Sequence, residues 1–252
     1  MDERMALEQL IGMSREIARP ELDAVILGEG NTSAKISDDE FFVKASGKYL
    51  CQSDENTFVK VDLKGALAVL DGPDLTDDQT KDALFNLRID KSNPLKPSIE
   101  TTFHAFLLSQ PDVNFVAHTH ATAINMITCS TKGKEIIRGR ICPDEIVYCG
   151  IEPIWIDFVE PGVALGRAIR EKVITYQDKH GCNPKTIMMQ NHGLVALGRT
   201  AHECEAITQM AIKTARVLLG AMAFGGIHYL TEENVMRIYN SSGKAYRRQQ
   251  FE

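Results

Sequence analysis

Two histidines one residue apart, His118 and His120, close the apolar run VNFVAHT at residues 113–119. Side chains alternate faces along a strand, so both imidazoles point the same way. Two imidazoles side by side in a core are costly unless something binds both, and a divalent metal does. His192, in Gln190-Asn191-His192-Gly193-Leu194, falls at a corner between two apolar runs, a good place to present a third ligand. Three neutral nitrogens leave coordination positions open, the arrangement of a catalytic zinc rather than a structural one. Taken alone, the His118/His120 pair also reads as two histidines satisfied in a core or on a surface. Nothing in the spacing itself brings residue 192 to residues 118 and 120.

Glu100 follows Pro97-Ser98-Ile99 at the start of an expected helix. There a carboxylate either complements the helix dipole or serves as a general acid/base beside a metal. His104 stands four residues on and shares that helix face, with a packing role expected. His180, His202 and His228 fall at loop or exposed-helix positions.

The elements that must position these groups are legible in outline. Met5, Leu7, Leu10, Ile11 and Ile17 recur at helical spacing over residues 4–17, and Pro20 ends that helix. Gly28-Glu29-Gly30-Asn31-Thr32-Ser33 reads as a loop with accessible backbone N–H groups. Short strands are expected at 34–36 and 41–45, joined by a turn at 37–39 and followed by a second small-residue loop, Ser46-Gly47-Lys48. Residues 76–87 contain a helix. Ser98 is expected to cap a helix that runs through Glu100 to near Pro111. After the strand at 113–119 come a Pro-Asp turn within 136–147 and a helix at 161–176. A strand at 186–189, a turn at 191–193 and a strand at 194–197 follow. A long helix from Ala201 to about Phe224, capped by Thr200, stops at Gly225-Gly226. Strands with interspersed helices and no internal repeat give an α/β or α+β chain with one sheet, a single domain over residues 1–252.

Composition narrows the partners. The 252 residues are 44% hydrophobic and 25% charged, enough for a core without disulfides. With 28 Lys and Arg against 34 Asp and Glu, the net charge is −6, which argues against nucleic acid. Lys244, Arg247 and Arg248 read as a solvated tail. None of the six cysteines forms a CxxC pair, and their wide spacing without a signal peptide points to reduced thiols in a cytoplasm. No apolar run approaches the roughly 20 residues a membrane span needs.

Five segments occur in a shared order: Gly30-Asn31-Thr32-Ser33, Ala45-Ser46-Gly47, Pro97-Ser98-Ile99-Glu100-Thr101, Ala117-His118-Thr119-His120-Ala121 and Gln190-Asn191-His192-Gly193-Leu194. In that order and approximate spacing the chain resembles the class II aldolase/adducin family. The resemblance spans residues 30–194 and implies a three-layer α/β/α domain with a central, mainly antiparallel sheet flanked by helices. It implies one zinc per subunit on His118, His120 and His192, with Glu100 as acid/base. Gly30, Asn31, Ser46, Gly47 and Ser98 match the family's anion-binding positions. A homotetramer with active sites at subunit interfaces is also implied. The family's tyrosine acid comes from a neighbouring subunit, with Tyr148, Tyr229 and Tyr239 as candidates. Asp144 falls where the family's epimerases keep an acidic residue, or in a turn.

The function this implies is a zinc-dependent aldolase cleaving a small ketose phosphate or sugar acid through a metal-stabilised enediolate. A pentulose-phosphate 4-epimerase is the alternative, although epimerases of this kind carry Asp where Glu100 stands. A non-catalytic, adducin-like module is the other, although adducin domains lack the histidines kept here. One departure is visible. Fuculose-type aldolases place two adjacent hydroxyl residues before the catalytic Glu, whereas this chain has Ser98-Ile99. Lys44 would share a strand face with Ser46, and its ammonium is expected to offset the missing hydroxyl.

Overall fold

The computed structural model describes residues 2–241; Lys244, Arg247 and Arg248 lie outside the described residues. The chain opens with α1 (Glu3–Ile17), started by Asp2, whose carboxylate accepts from Met5 N, and burying Ala6, Leu10, Met13 and Ile17 on one stripe. Strands β1 (Asn31–Lys35), β2 (Glu40–Lys44) and β3 (Phe58–Asp62) follow as an antiparallel meander. Next come α2 (Leu63–Asp71), α3 (Asp77–Asn86) and α4 (Thr101–Leu108), with α3 started by a capping box of Thr76 and Gln79. The second half holds β4 (Phe115–Thr119), α5 (Thr122–Thr128), α6 (Gly133–Ile136), α7 (Pro143–Cys149), β5 (Ile154–Ile156) and α8 (Val163–His180). The described residues end through β6 (Thr186–Met189), β7 (Gly193–Gly198), α9 (Ala201–Ala223) and α10 (Glu232–Tyr239).

The seven strands form one sheet in the order β3-β2-β1-β4-β7-β6-β5. Every neighbouring pair is antiparallel except β5 and β6, which α8 joins by a crossover, the connection a parallel pair requires. Side-chain alternation splits the core. Phe115 and Ala117 of β4, with Leu194 and Ala196 of β7, meet α1, α5 and α9. Val116, Val195 and Leu197 face the other way, onto α2, α4 and α8. The α/β reading, with three layers and a mainly antiparallel sheet, therefore holds.

Three local expectations fail. Asn31, Thr32 and Ser33 are strand, because β1 pairs with β4 from Asn31 opposite His118 onward; the loop ends at Gly30. Pro143-Asp144 opens α7 instead of making a turn, Pro at the first helical position being compatible with helix. The helix expected to be capped by Ser98 begins only at Thr101, with Glu100 at the cap position and its side chain making no cap bond. Strands β3 and β5 and helices α2, α5, α6 and α10 had no sequence assignment, being short or weakly periodic.

Candidate metal centre

The parity of β4 places His118 on the α4 side, edge-on to Phe103 and fully buried. His120 lies just past the strand end, its backbone N–H held by Ala24 O at 3.0 Å. His192 comes from the turn between β6 and β7, where Asn191 adopts φ 55° and His192 N donates to Met189 O at 3.2 Å. Gly193 lets that turn approach β4: a Cβ there would lie 2.3 Å from Thr119 O. The three rings converge, with centroids 4.7, 4.8 and 5.1 Å apart, and one nitrogen from each lies within 4.8 Å of the others.

These nitrogens suit a cation. His118 Nδ1–H donates to Leu194 O at 3.0 Å, which leaves Nε2 as a lone pair facing the centre. His118 Nε2 and His120 Nε2 stand 3.0 Å apart. Burial pushes the His118 imidazole down to about 3 and also lowers His120, so both are neutral donors near pH 7. Two neutral lone pairs at that separation repel unless a proton or a cation lies between them. Ligands about 2.0–2.1 Å from a tetrahedral zinc stand roughly 3.4 Å apart, against 3.0 Å for this pair and up to 4.8 Å across the trio. Glu29 Oε2, 3.9 Å from His120 Nδ1, is the carboxylate behind that ring.

Glu100 sits against this trio at 5% exposure. Its Oε2 accepts from Asn31 Nδ2 at 2.6 Å and lies 3.4 Å from His118 Nε2. Its Oε1 is 3.2 Å from His192 Nε2 and has no hydrogen-bond partner. Burial pushes the carboxyl up, while its contacts with His118, His192 and the Asn31 amide pull it the other way, and the net direction is down.

The remaining candidates collect around the same place. Gly30, Asn31, Lys44, Ser46, Gly47, Ser98, Glu100, His120 and His192 line one cleft of 240 Å³, with Gly28, Ile99 and Pro161; His118 lies buried beneath it. Gly30, at φ 64°, passes so close to β4 that a Cβ would lie 2.7 Å from His118 O. Ser98 Oγ accepts from Asn31 Nδ2 and from Glu100 N, both at 3.2 Å, so its own proton is left for a ligand. Lys44 is 2% exposed, and its Nζ donates to Gly28 O at 2.8 Å and Lys48 O at 2.6 Å, tying the two glycine loops together. Burial lowers its pKa to about 8, with the Glu100 charge pushing back.

Some candidates lie elsewhere in the chain. Tyr148, on α7, packs against the core, Tyr229 donates to Ile136 O at 3.0 Å, and Tyr239 faces Cys182 Sγ at 3.7 Å. Neither these nor Asp144 lines the cleft. Sequence reasoning missed Ser33 and undervalued His104, which is fully buried and bonded to Ser33 and Asn31 as well as stacked on Phe103. The signal available was the four-residue step from Glu100 to His104.

Comparison with known proteins identifies the family and the fold. A family model described as the Class II Aldolase and Adducin N-terminal domain matches residues 8–219. The chain is 30% identical, over 91% of its length, to the uncharacterized oxidoreductase YuxG of Bacillus subtilis (strain 168), of which it spans only 32%. It is 26% identical to the methylthioribulose-1-phosphate dehydratase of Bacillus pumilus, covering 80% of this chain and 86% of that protein. Among solved structures, the N-terminal class II aldolase domain of a conserved protein from Thermoplasma acidophilum superposes with a TM-score of 0.66 at 26% identity, over 84% of this chain and 93% of that one.

Proposed function

From the premise that this chain belongs to the class II aldolase and adducin family, we propose that it is a zinc-dependent lyase acting on a small ketose phosphate or sugar acid. In this reading residues 1–252 form one domain of that kind, working as a homotetramer in a reducing cytoplasm. The six free cysteines suit such a compartment, and no described helix is long and apolar enough to cross a membrane.

The observation that carries the reading is the unpartnered oxygen of Glu100, buried and 3.2 Å from His192, on a residue that lines the cleft. His118, His120 and His192 would hold the metal. A divalent cation there supplies Lewis-acid polarisation of substrate oxygens and charge to stabilise an enediolate. Glu100 takes or returns the proton at the carbon beside the substrate carbonyl. The Ser98 hydroxyl, the turns at Gly30 and Gly47 and the Lys44 ammonium receive the substrate's anionic end, a concave mix of hydroxyl, backbone and cation that suits phosphate or carboxylate. In retro-aldol cleavage the bond broken is carbon–carbon: the hydroxyl beside it gives its proton to Glu100 as its oxygen becomes that of the departing aldehyde, and Glu100 returns that proton to the remaining carbon. A second reading is carbon–oxygen cleavage, favoured by the relatives named as methylthioribulose-1-phosphate dehydratases. There Glu100 removes the same kind of proton and passes it to a neighbouring hydroxyl, which leaves as water.

A panel of ketose phosphates and sugar acids, followed by proton NMR on the zinc-loaded protein, separates these outcomes. Retro-aldol activity gives two fragments, dehydration gives one product lighter by water, and epimerisation gives an isomer of unchanged mass. Turnover should vanish with a chelator and return with zinc. A protein that neither binds zinc nor turns over any of the panel would refute the enzyme reading in favour of an interaction module.

A further inference from the structure

We propose that Ser33 and His104 are positioning residues that lock the Asn31 side-chain amide and, through it, hold the Glu100 carboxylate with Oε1 turned toward His192. The inference rests on the reading of Glu100 as the acid/base.

The chain of bonds has a forced polarity. The Glu100 carboxylate can only accept, so the atom of Asn31 facing Oε2 at 2.6 Å is the Nδ2 donor. Asn31 Oδ1 therefore faces the other way, onto His104 Nε2. A carbonyl oxygen cannot donate, so His104 carries its proton on Nε2. Its Nδ1 is then a bare acceptor, and the Ser33 hydroxyl, 2.6 Å away, donates to it. Every link is buried: Ser33 and His104 are fully enclosed and Asn31 is 5% exposed. Burial pulls the His104 imidazole down to about 4, so the ring stays neutral at neutral pH and the polarity is single-valued.

The topology explains why these residues meet. Thr32 and Ala34 of β1 face α1, where Thr32 Oγ1 meets Ser14 Oγ at 2.7 Å. Asn31 and Ser33 therefore face α4, with His104 one helical turn beyond Glu100. Two strand positions and two helix positions interlock, and Phe103 stacks on the His104 ring at 4.6 Å between centroids. Without the His104 donor, the Asn31 amide can turn over and present an oxygen to the carboxylate, which repels it. The network also reassigns Asn31. Both of its amide protons are taken, by Glu100 and by Ser98, so its side chain acts on the acid/base and not as a donor to the substrate anion.

The test uses the full zinc-loaded chain. His104→Phe keeps the stacking and removes the donor; kcat should fall roughly 10- to 100-fold, the usual effect of losing such an outer partner, with KM and zinc content unchanged. His104→Gln restores an N–H near the Nε2 position and should recover most of the loss. Ser33→Ala, a small change that folds even where His104→Phe does not, should lower kcat in the same KM-independent way. Nitrogen NMR of the ring should find His104 protonated on Nε2 and bare on Nδ1; the opposite tautomer overturns the proposal. Adding His104→Phe to Glu100→Gln should cost nothing further. If Glu100→Gln retains full turnover, the acid/base reading fails whatever His104 does. If Glu100→Gln is inactive while His104→Phe and Ser33→Ala keep full kcat, the positioning inference alone fails.

Discussion

Glu100 and Glu145 are buried to nearly the same degree, at 5% and 3% exposure, and their surroundings are opposite. Glu145 Oε1 accepts from Arg140 Nη1 at 2.9 Å and its Oε2 from Ile141 N at 2.8 Å. The other Arg140 donors go to the carbonyls of Cys149, Gly150 and Ile151. Both charges of that pair are fully engaged, and together they pin the two ends of α7. Glu100 has no cation pinned to it, one oxygen without a partner, and the imidazoles of His118 and His192 beside it. A buried charge with every bond made is a fixture of the fold. One left with an open oxygen beside imidazoles is costly to keep and useful only if something else enters.

The largest effect should come from the imidazoles. His118→Ala, His120→Ala and His192→Ala should each abolish zinc binding and reduce turnover to background, with far-UV circular dichroism unchanged. Full activity in any one of them would remove that residue from the ligand set. Next comes Glu100→Gln, which keeps shape and deletes the proton carrier. Zinc content should hold while kcat falls by about 10²–10⁴-fold. If the variant instead loses zinc and recovers at high metal concentration, Glu100 is a ligand, and its contrast with Glu145 is one of metal and not of proton transfer.

Arg140→Met should show the converse behaviour. Removing one partner of a buried pair strands the other charge, at about 3–5 kcal/mol. Urea unfolding should therefore shift strongly, while kcat per folded molecule and zinc content stay near wild type. A variant of unchanged stability would mean that Glu145 is easily neutralised or solvated, and would erase the contrast.

The sequence made one of these carboxylates visible and not the other, for a physical reason. Glu100 belongs to a run of local signals: a turn residue before it, a helix after it and paired histidines on a strand close behind. The facing of His118 and His120 was legible from strand alternation alone. The arrival of His192 was not, because it depends on β7 pairing with β4 and on Gly193 lacking a Cβ, which would lie 2.3 Å from Thr119 O, and no spacing encodes either. Asn31 was misread as loop for the same reason: Gly-Asn-Thr-Ser has turn chemistry, and only the pairing with His118 makes it strand. Arg140 and Glu145 lie five residues apart across a helix entry, where nothing in residue type marks a buried pair.

Lys44 is the residue that tests where the boundary between these two kinds of buried charge runs. Like Arg140, it is enclosed and donates to backbone carbonyls, those of Gly28 and Lys48. Like Glu100, it lines the cleft, and two acceptors leave one of its three N–H bonds uncommitted. If Lys44 is a strap alone, Lys44→Met loosens the two loops and lowers stability without a selective effect on the anionic substrate. If its third N–H meets the substrate anion in place of the hydroxyl missing at Ile99, KM should rise about 10-fold, the equivalent of about 1.4 kcal/mol, with kcat less affected. The wild type carries its own control. Burial lowers the Lys44 pKa to about 8, so the cation is present below that pH and lost as pH rises through it. KM for the anionic substrate should therefore climb above pH 8 in the wild type and stay flat there in Lys44→Met. A KM that does not change on substitution, and parallel pH profiles, would place Lys44 with Arg140.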